Sequence, residues 1–494
     1  MDEAVPILQL NTNVPGLNEI LGGGLPEYSF NLLAGGPGAG KTTLAQQMCF
    51  ALATPERPAL YITVLGEPPI KLLRYQQQFT FFDSTKVGSS IRFVSIPPAV
   101  LEAGLEDVLA QIVKEVEAVS PGVVAVDSFR SVIRAAKTTA LNAELDLQAF
   151  VQRLALQMTA WQATTFLLGE YHAPENEENP LFTVADGILW LYQKVERNAV
   201  VRKMQVVKMR GHAPIPGLHT FRITRDGLQV FPRLPRPAEA LREKVSASVA
   251  LSTHRLSTGV PALDELMGGG LLPGSSLLIA GPSGSGKTVQ ATQFLAEGAT
   301  QGQPGLLVVF EKRPSEYLRT NPLGDRVAAY IRDGRLHVLY LPLLDLSIDE
   351  LLAEVRGQVI AHGITRIVID SLAALEVALA PGFRDDIVET LHRMVAMLTA
   401  MGITLILTVE VVDSYTDLRF SPHGTAFVTD GILLQRYVEL NGVLKRILAV
   451  VKLRGSQHSK ELRLYDVTAD GIVIGERLEG YDGLMTGTPR RTMP

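Results

Sequence analysis

Along the chain, short uninterrupted apolar runs alternate with longer stretches in which apolar residues recur at helical spacing. FNLLA, LYITVL, VVAVD, SLLIA and TRIVID are of strand length and nearly free of charge. A strand that is apolar on both faces must be covered on both, which is the situation of a mostly parallel sheet sandwiched by helices. Between such runs, Leu147, Phe150, Val151 and Leu154 fall at i, i+3, i+4 and i+7, the spacing of one buried helix face.

The whole pattern is written twice. TNVPGLNEILGGGLP, from Thr12 to Pro26, returns as TGVPALDELMGGGLLP, from Thr258 to Pro273. Lys41 and Lys287, Glu67 and Glu311, Asp127 and Asp370, Asp186 and Asp430, and Arg210 and Arg454 keep nearly the same separation. So long a period exceeds that of solenoid repeats, so each copy is expected to be a full domain with its own core. Near the end of the first copy, VRKMQVVKMRG and HTFRITRDGLQV read as antiparallel hairpins that extend the sheet. The proline-bearing stretch from Pro232 to Arg255 has no strong apolar face and separates the copies, so domains are expected at 1–245 and 246–477. The last residues, 478–494, are rich in Gly, Thr and Pro and predict a loosely ordered tail with Arg490 and Arg491 solvated.

Composition narrows the class. The 494 residues carry 46 Lys plus Arg against 51 Asp plus Glu, a formal charge of −5 on a chain that is 46% hydrophobic, as in an ordinary globular protein. The slight acidity offers no global attraction for nucleic acid or anionic lipid. The N-terminus, MDEAVPILQLNTNV, has acids where a secretory signal needs bases, and no apolar run approaches the ~18 residues of a membrane span. A single cysteine, Cys49, cannot bridge within the chain and no Cys/His spacing suits zinc, so a reducing cytoplasm is expected, with Cys49 as buried filler.

The chemistry sits where strands end. GGPGAGKT (Gly35–Thr42) and GPSGSGKT (Gly281–Thr288) are complete P-loop motifs, each after an apolar strand and opening a helix. Their glycines let consecutive backbone N–H groups turn toward phosphate oxygens, and the helix adds its positive end. The residues expected to hold nucleotide are Gly36, Pro37, Gly38, Ala39, Gly40, Lys41, Thr42 and Thr43, then Pro282, Ser283, Gly284, Ser285, Gly286, Lys287, Thr288 and Val289. The cofactors implied are ATP and Mg²⁺, with Thr42 and Asp127 on the metal side of one site and Thr288 and Asp370 on that of the other, since each aspartate ends an apolar run. Helix capping is the alternative reading of those aspartates. Glu67 and Glu311, leaving the next strand, are candidate bases for water, although an acid before proline also suits a helix start. Lys208 and Arg210 of KMRG, and Lys452 and Arg454 of KLRG, share a strand face before a turn; such pairs are often merely solvated, and a cation pair before a turn can also reach a neighbouring subunit's γ-phosphate.

Tandem P-loop copies, each opened by T-x-V-P-x-L with a GGG-L turn and closed by K-x-R-G, resemble the KaiC family of RecA-like ATPases over nearly the whole chain. The resemblance implies two tandem RecA-like α/β domains in a two-tiered ring, a hexamer, with ATP between subunits and Lys208, Arg210, Lys452 and Arg454 acting in trans. It also implies a second domain that phosphorylates its own chain. The sequence departs from the clock members at informative places. They carry paired glutamates where this chain has Gly66–Glu67 and Glu311–Lys312, which leaves one candidate base per site. Their adjacent Ser and Thr acceptors fall on Ala426 and Phe427, which have no hydroxyl; Ser421, Thr425 and Thr429 lie nearby and read more simply as ordinary loop or strand hydroxyls. His458 matches a family position, whereas the first copy has Pro214 there and an earlier His212 to which no role is assigned.

The leading expectation is a Mg²⁺-dependent ATPase ring that converts nucleotide state into ring shape or partner binding as a signalling switch, with autokinase activity considered for the second domain. A DNA recombination motor is the alternative from another class; it lacks an appended zinc module and a basic stretch interleaved with aromatics. A scaffold that binds ATP with little turnover is the third.

Overall fold

The apolar runs become strands because their side chains find cover on both faces. In the computed structural model, which describes residues 7–64, 69–133, 143–171, 180–196, 199–233, 254–341, 346–379, 387–411, 428–484 and 490–491, Phe30, Leu32 and Ala34 of the strand Phe30–Gly35 enter one core and Leu33 enters the core on the opposite face. The strand Ser276–Gly281 divides in the same way, with Leu278 and Ala280 on one side and Leu277 and Ile279 on the other. Period-two alternation between two dry faces explains why these strands carry no polar stripe. Leu147, Phe150, Val151 and Leu154 are buried along the helix Ala143–Ala160, as their spacing predicts.

The chain divides into two compact units, residues 1–234 and 235–494. The expected junction at 245/246 lies outside the described residues. Among the described residues each unit holds a nine-stranded sheet. In the first, the strand order is Gly227–Phe231, His219–Thr224, Ala199–Met209, Gly187–Glu196, Phe30–Gly35, Thr164–Glu170, Val123–Asp127, Ala59–Val64 and Ile91–Ile96. In the second it is Gly471–Arg477, Arg463–Thr468, Val443–Leu453, Gly431–Leu440, Ser276–Gly281, Thr404–Glu410, Arg366–Asp370, Gly305–Val309 and Leu336–Tyr340. From Gly187–Glu196 to Ile91–Ile96 all neighbours are parallel, and the three remaining strands extend the sheet antiparallel. The second unit repeats this arrangement. These are the α/β domains with terminal hairpins that the sequence predicts.

The strand that leads into each P-loop has parallel partners on both sides, so the loop leaves the carboxyl edge near the middle of the sheet, where open α/β folds bind ligands. Helices Lys41–Leu52 and Lys287–Thr300 follow at once and bury most of their residues. Among the described residues no helix is long and apolar enough to cross a membrane.

The described residues beyond 477 differ from the loose tail expected. Tyr481–Asp482 pairs antiparallel with Arg490–Arg491. Leu484 is buried with Val438, Leu440 and Ile447, and Leu478 and Tyr481 pack against the same cluster. Three apolar residues at intervals of three cover a face of the second sheet that would otherwise be wet, and this outweighs the segment's polar composition.

Candidate nucleotide sites

Each P-loop is shaped by glycines at backbone angles that side chains resist. Gly40 and Gly286 stand at φ 103 just before their helices. A Cβ on Gly40 would lie 2.6 Å from Ile223 Cδ1, and one on Gly286 would lie 3.0 Å from both Ile472 Cδ1 and Val467 Cγ2. Gly38 and Gly284 are also left-handed, at φ 72 and 76. The terminal hairpins therefore press against the backs of the loops, and the left-handed backbone there favours glycine. In the second unit Tyr465 donates its hydroxyl to Ser285 O at 2.5 Å, and Ser285 Oγ reaches Gln435 Oε1 at 3.1 Å, so the loop is held from behind.

Lys41 Nζ donates to Gly35 O and Gly36 O at 2.9 and 2.7 Å, and Lys287 Nζ to Gly281 O and Pro282 O at 2.8 and 2.7 Å. Burial lowers both ammonium groups from the ordinary lysine value, against the opposing pull of Glu170 and Asp127 in the first site and of Glu410 and Asp370 in the second. Glu170 and Glu410 end the strands beside the P-loop strands and were missed in the sequence. Their signal was present, since both copies close an apolar run on a glutamate.

Thr42 Oγ1 donates to Asp127 Oδ2 at 2.8 Å, and Thr288 Oγ1 to Asp370 Oδ2 at 2.8 Å. The hydroxyl and carboxylate expected on the metal side are thus neighbours in both units, although they stand far apart in sequence. Among the described residues no group of three or more His, Cys, Asp and Glu gathers into a metal cage. A hydroxyl and one carboxylate beside a phosphate cradle suit a hard, mostly hydrated cation such as Mg²⁺, which takes its remaining oxygens from water and phosphate.

Around the second loop opens a cleft of about 440 Å³. Its lining includes Ser283, Gly284, Gly286, Lys287, Thr288 and Val289, together with Asp370, Glu410 and Glu311. Glu311 is exposed to this space, and Glu67 lies outside the described residues. Arg446 also lines the cleft; it stacks over Tyr437 at 5.6 Å, and its Nε is buried without a hydrogen-bond partner. Arg202 holds the matching register position in the first unit, opposite Gln193 as Arg446 is opposite Tyr437, and its Nε is likewise unpartnered. Neither arginine was singled out in the sequence, yet each stands six residues before the lysine of its K-x-R-G.

The K-x-R-G cations lie elsewhere. Met209 is opposite Gly187, and Gly187 is opposite Asn31 near the start of the P-loop strand, whereas Gly35 at its end is opposite Leu191. Four residues of strand amount to about 13 Å. Arg210 turns to Asp186 at 3.0 Å, and Lys208 Nζ donates to Phe182 O and Thr183 O at 3.2 and 3.0 Å. Asp186 in turn accepts from the N–H of Phe30, which ties the base of the P-loop strand to this corner. In the second unit Arg454 lies 3.8 Å from Asp430, Lys452 Nζ donates to Thr429 O at 2.5 Å, and Asp430 accepts from the N–H of Ser276. The arginine side chains remain 61% and 64% exposed.

Of the remaining candidates, Thr429 is buried, and Ser421, Thr425, Ala426 and Phe427 lie outside the described residues. His212 Nδ1 is 3.3 Å from Leu21 O, and His458 Nδ1 is buried without a hydrogen-bond partner.

Two P-loops at the carboxyl edges of mixed, mostly parallel nine-stranded sheets define a tandem RecA-like P-loop protein. The model of the KaiC ATPase family matches residues 10–234 and 256–479, and the chain belongs to that family. It is 27% identical to the circadian clock oscillator protein KaiC of Picosynechococcus sp. over 98% of this chain and 93% of that protein. It is also 27% identical to circadian clock oscillator protein KaiC 1 of Synechocystis sp., over 98% and 92%, and 26% identical to KaiC of Parathermosynechococcus lividus, over 99% and 90%.

Proposed function

We propose that this chain is a Mg²⁺-dependent ATPase that works as a homo-oligomeric, two-tiered ring, a hexamer, with ATP at the subunit interfaces. One observation carries the reading: in both units the Lys-x-Arg pair sits about 13 Å of strand away from its own P-loop, with an exposed arginine. A cation built so far from its own phosphates serves a neighbour's. The P-loop backbone, Lys41 or Lys287, and the cleft arginine Arg446 bind the phosphates from one side. Glu311, and Glu67 in the first unit, orient the attacking water. The exposed arginine of the adjacent subunit meets the charge that develops on the γ-phosphate, a contribution worth about 10³ to 10⁵ in rate. Mg²⁺ held beside Thr42 and Asp127, or beside Thr288 and Asp370, would offset the β/γ-phosphate charge.

Autophosphorylation on a clock-type pair is not part of this reading, because Ala426 and Phe427 lack acceptor oxygens. The test is incubation with γ-labelled ATP and Mg²⁺, with released phosphate and protein-bound label counted together for the parent, Lys41→Ala and Lys287→Ala. Phosphate release without bound label, reduced in part by each substitution together with loss of nucleotide from one tier, is expected. Parental nucleotide affinity in both variants would overturn the assignment. Label that stays on the chain and disappears with Lys287→Ala would make the second unit an autokinase with an acceptor elsewhere.

A further inference from the structure

The two metal-side aspartates are not held alike. Asp127 Oδ2 accepts from Thr42 Oγ1 and also from the hydroxyl of Tyr61, each at 2.8 Å. Tyr61 is fully buried on the strand Ala59–Val64, on one side of the aspartate's strand. In the second unit the same strand position is Leu307. There Asp370 Oδ1 accepts instead from Thr408 Oγ1, at 2.5 Å, across from the strand on the other side. The first unit has Leu168 at the position of Thr408. The pair Tyr61 and Leu168 is thus exchanged for Leu307 and Thr408, so that the strand-borne second hydroxyl comes from opposite flanks; in the second unit the buried hydroxyl of Tyr317, 2.9 Å from Thr292 Oγ1, also lies beside Asp370.

A second donor matters because the first has another task. Once the P-loop threonine turns its hydroxyl toward a cation, the carboxylate depends on its other partner to stay aimed at the metal side. The competitor is close by, since Lys41 feels the charge of Asp127 and Lys287 that of Asp370. A carboxylate released from its hydroxyl can swing to the ammonium group and be lost to the metal. We infer that Tyr61 is the positioning residue of the first Mg²⁺–ATP site and Thr408 that of the second, each fixing the metal-side aspartate from a different neighbouring strand. This rests on the Mg²⁺–ATPase reading given above.

The experiment uses the full chain with one tier silenced. In a Lys287→Ala background, Tyr61→Phe removes one oxygen atom and keeps the ring. The Mg²⁺ concentration that half-saturates tightening of a fluorescent ATP analogue is expected to rise about tenfold, the factor of one hydrogen bond to a charged group. Affinity for the same analogue in EDTA is expected to hold, so the effect separates metal coupling from general loosening of the site. Adding Leu168→Thr, which installs the second unit's donor in the first, is expected to recover most of the Mg²⁺ dependence. Thr408→Val in a Lys41→Ala background is expected to act as Tyr61→Phe does. An unchanged Mg²⁺ midpoint in Tyr61→Phe, or an equal loss of affinity in EDTA, would overturn the inference. A parent with no Mg²⁺ dependence of binding would instead overturn the reading beneath it.

Discussion

At the scale of single residues, burial decides which groups can titrate or react. His219 is fully buried; its Nε2 lies 3.0 Å from Ile215 O and its Nδ1 accepts the N–H of Arg233 at 2.8 Å. Donating from one nitrogen and accepting at the other defines a neutral ring, and burial, with Arg233 adding to it, lowers the group from the ordinary 6.5. The unfolded chain then binds the extra proton first. Stability of the first unit is expected to be complete above the unfolded value and to fall as the pH drops from there toward the lowered folded value. Calorimetric unfolding at pH 7.5 and 5.5 should show an acid-induced loss for the parent that His219→Gln does not show. Cys49 is 1% exposed, and burial pushes its thiol up to about 12. Titration with a thiol reagent is expected to find it silent in the folded protein and reactive on denaturation. The apolar helix pattern around Cys49 already pointed to filler, whereas nothing in the linear order joined His219 to the backbone of Arg233.

At the scale of elements, the two sheets share a topology but not every tie. Arg366 begins its strand where the first unit has Val123, and it is fully buried. Its guanidinium donates to Gln303 Oε1 at 2.8 Å and to Ser257 O and Phe294 O at 2.9 Å, while lying over the Phe294 ring. Burial lowers it to about 10, so it remains charged at neutral pH, with Glu297 and Asp264 favouring that form. Arg366→Met strands three acceptors, each costing about 1 to 3 kcal/mol. A loss of at least about 3 kcal/mol in the second unit, with the first unchanged, is expected and can be read from two unfolding transitions. Strand and helix identities were legible because a parallel sheet demands runs of apolar residues. The buried arginine was not, because a single charge at the start of an apolar run looks solvated until the helix Lys287–Thr300 is laid over it.

At the scale of the whole molecule, the ring reading makes a prediction that no single-chain activity could mimic. Lys41→Ala with Lys287→Ala removes the phosphate lysines, and Arg210→Ala with Arg454→Ala removes the exposed arginines. Each double variant alone is expected to be nearly inactive. Subunits mixed before assembly should regain turnover at interfaces where one chain supplies the loop and its neighbour the arginine. No recovery in verified mixed assemblies would place the cations outside trans catalysis. The duplication, the strand-then-P-loop order, the glycines of the loop and the carboxylates that end apolar strands were all determined by the sequence itself, because each rests on local geometry or on a period that recurs along the chain. Only the tertiary structure decided that Arg446 lines the cleft around its loop, that the K-x-R-G cations lie at the far end of the strand, and that Tyr61 and Thr408 reach their aspartates from opposite sides. Those relations depend on which strands become neighbours and in what register, and a parallel sheet sets both through contacts between residues far apart in the chain.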